Sequence, residues 1–194
     1  MRGLACRRGS HLLFRGLDLT VLPGQLVWVR GANGQGKTSL LRLLAGLSEP
    51  AEGTIVRQAA LTYVGHQHAL KDDLTAQEAL TFLLQLEGFP ATDALVTDAL
   101  ARLGVKGKRL AWVRTLSQGQ KRRVALARLA RAPAGGLWLL DEPFDALDDQ
   151  GLAAVHSLLI EHRRSGGSVV LTSHQDVPFD DVTVLALADP VAGR

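Results

Sequence analysis

The strongest constraint on this chain is the stretch from Gly31 to Thr38, which reads GANGQGKT. It fits the phosphate-binding pattern G-x-x-x-x-G-K, followed by Ser or Thr, at every fixed position. The apolar residues 26–29 precede it, as expected of a buried parallel strand. Leucines at helical spacing follow it as far as Gly46. The stretch is therefore predicted to be a strand, a loop and a helix that together bind the phosphates of a nucleotide.

The residue types of this loop suit a polyphosphate ligand. Its glycines would allow a positive φ and a close approach of the backbone to the ligand. Its N–H groups and the helix N-terminus would then face an anion. Lys37 is predicted to reach the β- and γ-phosphates, and Thr38 to offer its hydroxyl to Mg²⁺. The predicted nucleotide contacts in the loop are Gly31, Ala32, Asn33, Gly34, Gln35, Gly36, Lys37, Thr38 and Ser39.

A second apolar run, residues 137–140, ends in Asp141 and Glu142. The carboxyl ends of strands in an α/β sheet face the ligand, so both acids are predicted to lie beside the phosphate loop. Asp141 is predicted to hold Mg²⁺ together with Thr38. Glu142 is the candidate general base that polarises the attacking water.

The order of the predicted elements indicates an α/β fold with a mostly parallel sheet and an inserted helical part. Residues 1–30 are predicted to form short strands around a turn at residues 7–10, with a strand at 17–22, and two more strands are predicted at 54–56 and 61–64. From about residue 74 to 132 the pattern is helical, with a capping box at Thr75 and a second helix start at Thr92. Strands are expected again at residues 137–140, 168–172 and 182–187, with a helix over about 150–164 between the first two.

Composition limits the possible functions. The chain has 194 residues, which suits one domain with a substantial core. A single cysteine, Cys6, excludes an internal disulfide. A net charge of +3 is too small to indicate nucleic acid binding, so none is expected. The N-terminus does not resemble a secretory signal and no run is long enough to span a bilayer, so a cytoplasmic site of action is expected.

Six motifs in this order resemble those of the ATP-binding cassette (ABC) ATPases, and the resemblance covers nearly the whole chain. They are GANGQGKT at 31–38, Gln67 after a strand, LSQGQ at 116–120, LWLLDEP at 137–143, ALD at 146–148, and His174. The resemblance implies an ABC nucleotide-binding domain over residues 1–194. It would have a core over about 1–68 and 133–194, with a N-terminal antiparallel β part, and a helical subdomain over about 69–132.

The resemblance also implies roles for residues outside the loop. Gln67 would coordinate Mg²⁺ and the attacking water, and His174 would contact the γ-phosphate. A second copy of the chain would complete each ATP site head to tail, since the LSQGQ motif opens a helix that forms an anion site. The residues implied in that composite site are Ser117, Gly119, Gln120 and Asp148.

The sequence departs from the family near the base of the nucleotide. ABC ATPases usually carry an aromatic residue before the phosphate loop that stacks on adenine. The corresponding turn here is Arg7-Arg8-Gly9. Arg8 could stack its guanidinium on the base. The sequence therefore leaves the selectivity for adenine open, while the prediction of phosphate binding does not depend on this turn.

Several strings resemble one bacterial branch, the ATPase subunits of the haem exporters of cytochrome c maturation. They include VGHQHALK at 64–71, LLRLLAGL at 40–47 and GQKRRVALARL at 119–129. The implied partners are integral membrane permease subunits, a second copy of the chain and, through the complex, a haem chaperone. The implied location is the cytoplasmic face of the inner membrane, as a peripheral protein.

Other functions remain open from the sequence. A small ABC exporter with another cargo would share the motifs, because the membrane subunits choose the cargo. A P-loop kinase would share the phosphate loop but would not need LSQGQ or His174. A soluble cassette that acts on ribosomes or DNA usually has two cassettes in one chain, or long coiled-coil insertions. A metal site at His66 and His68 is disfavoured, because no third ligand is evident.

Overall fold

The computed structural model describes residues 1–187 and contains two sheets. A five-stranded parallel sheet has the strand order β5-β6-β7-β3-β8. Its strands are β3 (Leu26–Arg30), β5 (Leu61–Val64), β6 (Leu137–Leu140), β7 (Ser168–Thr172) and β8 (Val182–Ala186). The predicted strands at 26–29, 61–64, 137–140, 168–172 and 182–187 are confirmed.

The second sheet is antiparallel, with the order β2-β1-β4. Its strands are β1 (Arg2–Arg8), β2 (His11–Leu17) and β4 (Glu52–Thr54). The predicted strand at 17–22 is wrong, because the chain leaves the ladder at Leu17. Just after Leu17, the Asp18 carboxylate accepts the Gly3 N–H at 2.7 Å, and the backbone does not continue as a strand. The predicted strand at 54–56 lies earlier, ending at Thr54.

Five α-helices are present in residues 1–187: α1 (Lys37–Leu44), α2 (Ala76–Leu86), α3 (Asp93–Arg102), α4 (Gln118–Leu126) and α5 (Asp149–Arg164). Helix α1 ends as predicted before Gly46, whose φ is +75°. Thr75 and Thr92 cap α2 and α3 at the predicted positions, the former in a full capping box. Three 3₁₀ turns also lie between β5 and β6, at Lys106–Lys108, Val113–Thr115 and Ala127–Arg131.

The two faces of the parallel sheet bury different sets of side chains. Along β3, Leu26 and Trp28 pack into a cluster with residues of α2, α3, α4 and α5. Val27 and Val29 point to the other face, where they pack with α1 and the antiparallel sheet. This alternation follows from the two-residue period of a strand. Because all five strands run parallel, the loops after β3, β5, β6 and β7 meet at one edge.

Within residues 1–187, we find no helix with both the length and the apolar character needed to cross a bilayer. The last seven residues of the predicted core, 188–194, lie outside the part of the chain that the structure describes.

Candidate functional site

The phosphate loop joins β3 to α1 with two glycines in the left-handed region. Gly34 has φ +83° and Gly36 has φ +96°. A Cβ at Gly36 would also lie 3.1 Å from the Leu13 side chain, so a larger residue there would have a strained backbone and would have to displace that side chain. Gly31 is different, because its φ is not positive. The expectation of a positive φ at this glycine is therefore wrong. A Cβ at Gly31 would instead approach the Gln35 side chain, at 2.7 Å.

Side chains of the loop fold back on its own backbone. The Lys37 ammonium donates to the carbonyl oxygen of Gly31 at 2.8 Å and is buried at the base of the loop. The Gln35 side-chain oxygen accepts the Ala32 N–H at 2.6 Å. These bonds hold the loop as a closed turn at the N-terminus of α1, an arrangement whose backbone N–H groups suit an anion.

The acid at the end of β6 contacts the first turn of α1. The Thr38 hydroxyl donates to Asp141 Oδ2 at 2.8 Å, although 103 residues separate the two. The other carboxylate oxygen of Asp141 accepts the Thr172 hydroxyl at 2.8 Å. Asp141 is almost fully buried, at 1% exposure. The predicted neighbours Thr38 and Asp141 are therefore brought together, and their oxygens converge on one point.

The neighbouring acid contacts the end of β7. Glu142 Oε2 accepts the His174 N–H at 3.0 Å, and Glu142 Oε1 lies 3.4 Å from His174 Nε2. Burial raises the pKa of Glu142, and the charge of His174 and its backbone hydrogen bond oppose this rise. A carboxylate with a raised pKa is a stronger base than an exposed one, so the geometry suits Glu142 to accept a proton.

These groups line one cavity of about 310 Å³. Eleven of the predicted site residues face it: Arg8, Ala32, Asn33, Gly34, Gly36, Lys37, Thr38, Ser39, Asp141, Glu142 and His174. Gly31 and Gln35 shape the loop without lining the cavity.

Three residues that line the cavity were not predicted to belong to the nucleotide site: Leu13, His66 and Asp145. His66 Nδ1 lies 3.9 Å from Asp145 Oδ2. His66 directly precedes Gln67 and Asp145 directly precedes the ALD motif at 146–148, and this adjacency was the available signal. Leu13 carried no such signal, because β2 reaches the cavity only through tertiary packing.

Five further predicted residues do not face this cavity within one chain. Gln67 is exposed, and its neighbour His66 lines the cavity instead. Ser117 caps α4 in a capping box with Gln120. Gly119 packs so closely that a Cβ would lie 2.4 Å from the Ala146 carbonyl oxygen. Asp148 caps α5 by accepting the Gly151 N–H at 2.9 Å and pairs with Arg123.

The sequence profile of the family described as ABC transporter matches residues 14–145, which span the phosphate loop, the LSQGQ motif and the two acids. This chain belongs to the ABC transporter family. As an ABC ATPase it binds ATP and couples its hydrolysis to transport. Dimeric assembly and membrane partners are typical of ABC ATPases.

Cytochrome c biogenesis ATP-binding export proteins of several bacteria resemble the chain over most of its length. The cytochrome c biogenesis ATP-binding export protein CcmA of Methylococcus capsulatus is 48% identical, covering 89% of this chain and 88% of the relative. The protein of the same name from Nitrosomonas europaea is 44% identical, covering 94% and 91%. The chain therefore belongs to this branch of the ABC family.

Solved ABC structures share the fold. An ABC transporter ATP-binding protein from Pyrococcus furiosus has a TM-score of 0.82 at 23% identity, covering 96% of this chain and 95% of that chain. A dimeric ATP-binding cassette in a post-hydrolysis state, bound to ADP and Pi, has a TM-score of 0.77 at 24% identity, with 90% and 87% covered. The predicted fold class is confirmed: a mostly parallel ABC ATPase sheet with an N-terminal antiparallel part.

Proposed function

We propose that this chain is the ATP-hydrolysing subunit of the export complex of cytochrome c maturation. It works at the cytoplasmic face of the cell membrane with integral membrane partners that handle haem and its chaperone. The export assignment is supported by cytochrome c biogenesis ATP-binding export proteins that are 44 and 48% identical to this chain. The hydrolytic mechanism rests on one observation: the phosphate loop, the Thr38–Asp141 bond and the Glu142–His174 pair all face the same cavity.

The phosphate loop holds the triphosphate through its backbone N–H groups. Lys37 leaves the Gly31 carbonyl, where its ammonium lies at 2.8 Å, and moves its charge to the β- and γ-phosphates. Arg8, an exposed residue on the cavity wall, stacks its guanidinium plane on the base. These contacts bind and orient ATP, which supplies most of the catalysis in phosphoryl transfer.

The donor set beside the loop fits Mg²⁺. Mg²⁺ takes oxygen ligands and is usually held by one or two protein side chains together with substrate phosphates. Thr38 and Asp141, whose oxygens lie 2.8 Å apart, would hold it, with Gln67 added from the loop after β5. When bound, it supplies positive charge that neutralises the developing negative charge of the phosphates.

Glu142 takes the proton of the water that attacks the γ-phosphate. Its carboxylate is already fixed by the His174 N–H, so it loses little freedom in reaching the water. His174, whose side chain is half exposed to the cavity, contacts the γ-phosphate and stabilises its charge in the transition state.

A second copy of the chain completes each site. Ser117, Gly119, Gln120 and Asp148 do not face their own chain's cavity. They lie at the N-termini of α4 and α5, where N–H groups and the helix dipole favour an anion. Two chains placed head to tail would bring the α4 terminus of one onto the γ-phosphate held by the other.

The chain divides into two parts in this function. A core over about 1–68 and 133–194 holds the phosphate loop and both acids, and a helical subdomain over about 69–132 holds the LSQGQ helix. Each part contributes to a different half of the ATP site. A movement of the helical subdomain relative to the core would therefore change whether the two halves meet.

Isolation of the chain with its native membrane tests the export assignment. The complex is purified in mild detergent through a tag on this chain, and the co-purifying proteins are identified. Recovery of small integral membrane proteins with a haem-carrying chaperone is expected. Recovery of an unrelated permease would contradict the haem assignment and keep the ATPase role. Recovery of ribosomes would contradict both membrane partners and export.

A further inference from the structure

Arg122 is a fully buried cation on helix α4. Its exposure is 1%, and no larger side chain in residues 1–187 is as deeply buried. Burial of a guanidinium is costly unless its donors are satisfied. Burial lowers the pKa of Arg122, opposed by the charges of Asp145 and Asp141. A charge maintained in such a place indicates that its hydrogen bonds matter.

The guanidinium bonds to the backbones of two loops instead of pairing with a single carboxylate. Its Nη2 donates to the carbonyl oxygens of Asp141 and Glu142, each at 2.6 Å. Its Nη1 donates to the carbonyl oxygen of Gly65 at 2.9 Å. The first loop carries both acids of the site, and the second leads directly to Gln67. One planar group thus holds the ends of β5 and β6 together.

Glu142 needs support at its backbone. Its φ is +51°, a left-handed conformation that L side chains rarely adopt and that surrounding contacts must hold. Arg122 binds the carbonyl of Glu142 on one side. The Thr172 hydroxyl accepts the N–H of Glu142 at 2.9 Å on the other. The conformation that directs the Glu142 carboxylate into the cavity is therefore fixed from both ends of the residue.

We propose that Arg122 is a positioning residue for ATP hydrolysis. It fixes the Asp141–Glu142 backbone to helix α4, whose N-terminus at Ser117 is the half-site for the partner's ATP. Displacement of α4 then moves Glu142, so turnover depends on the position of this helix. The inference rests on the proposed role of Glu142 as the base. Arg122 itself touches neither the nucleotide nor the water.

Arg128 provides a matched comparison on the following 3₁₀ turn. It is also buried, at 6% exposure, and its Nη2 donates to the Tyr63 carbonyl oxygen at 3.0 Å. Its Nη1 bonds to Glu87 at the end of α2, at 2.8 Å. Arg128 thus ties strand β5 to the helical part without touching the loop of the two acids. Its loss should affect stability but leave the acids in place.

The test compares Arg122→Lys with Arg128→Lys in the full chain purified with its membrane partners. Lysine keeps the charge but cannot span three carbonyls with a planar fork. Measurements are kcat and KM for ATP hydrolysis and the urea midpoint of unfolding. We expect Arg122→Lys to lower kcat by about 10- to 100-fold with KM changed less than about twofold. Arg128→Lys should lower the midpoint and leave kcat within about twofold.

Equal values of kcat for Arg122→Lys and Arg128→Lys would overturn the inference, whatever the two urea midpoints, because Arg122 would then have a purely structural role. Glu142→Gln, measured in the same assay, separates this inference from the one beneath it. Full turnover in Glu142→Gln would overturn the base assignment. Normal turnover in Arg122→Lys beside an inactive Glu142→Gln would overturn the positioning role alone.

Discussion

At the scale of single residues, the site depends on acids whose surroundings differ. Asp141 accepts hydrogen bonds from the hydroxyls of Thr38 and Thr172, and these bonds fix the orientation of both carboxylate oxygens. Glu142 is held by His174 and has a raised pKa through burial. Two adjacent carboxylates with different environments can take different roles in one reaction. These contacts support the proposed roles of Asp141 in binding Mg²⁺ and of Glu142 as the base.

A buried histidine makes stability depend on pH. His162 on α5 is 5% exposed, its ring stacks on Trp138 with centroids 3.7 Å apart, and its Nε2 lies 3.0 Å from the Gly136 carbonyl oxygen. Burial lowers the pKa of His162, opposed by backbone hydrogen bonds. Below the ordinary pKa of about 6.5 the unfolded chain takes up a proton more readily than the folded chain. The contribution of His162 to the free energy of unfolding is therefore present above about pH 6.5 and is lost as the pH falls below it.

His162→Phe should therefore reduce the loss of stability on acidification, because phenylalanine can stack but does not titrate. The free energy of unfolding is measured in urea at about pH 7.5 and about pH 5.5, on either side of the ordinary histidine pKa. The difference between the two values should be smaller in His162→Phe than in the unchanged chain. His11→Phe, at an exposed strand position, serves as the control. An unchanged difference in His162→Phe would contradict the assignment.

Much of this chemistry could be predicted from the sequence, because it lies in contiguous motifs. The phosphate loop and the Asp141–Glu142 pair each sit directly after an apolar strand, so topology alone brings them together. The position of Arg122 could not be predicted in this way. It stands in the basic run Lys121 to Arg123, and only tertiary packing shows that one of these cations is fully buried.

At the scale of elements, helix starts were predictable because capping is local. The Thr75 hydroxyl accepts the Glu78 N–H at 3.3 Å, and the Glu78 carboxylate accepts the Thr75 N–H. The strand predicted at 17–22 failed for a related reason. Leu17, Leu19 and Val21 do pack against the core, as their alternation indicates. Alternation reports burial, however, and a strand also needs a partner backbone along its length.

Thr75→Ala should weaken the start of α2. It removes one cap at a helix N-terminus, which costs about 1 kcal/mol. The free energy of unfolding in urea should fall by this amount, while ATP affinity stays unchanged, since Thr75 does not line the cavity. Thr75→Ser keeps the hydroxyl and should retain stability. Equal stability of the alanine and serine variants would show that the cap contributes nothing.

At the scale of the whole molecule, the proposed ATP site is divided between two chains. Ser117 is exposed at the N-terminus of α4 and does not face its own cavity. A large cation there should leave ATP bound to one chain but keep a second chain from closing on it. This separates nucleotide binding from pairing.

Ser117→Arg should bind ATP with unchanged affinity and remain monomeric in ATP. The mass of the particle is measured by light scattering with ATP, in a Glu142→Gln background that prevents turnover. Ser157→Arg, the same substitution on the exposed face of α5, should still pair. A stable ATP-bound dimer of the Ser117→Arg variant would refute the composite site.

The most direct test of the central claim is the rate of ATP hydrolysis by Glu142→Gln, measured together with its affinity for ATP. The substitution keeps the shape of the side chain but removes the base. We expect unchanged affinity, an ATP-bound dimer, and a rate lower by at least about 100-fold. Glu49→Gln, at an exposed carboxylate away from the cavity, should keep the full rate. Hydrolysis by Glu142→Gln at the unchanged rate would contradict the account.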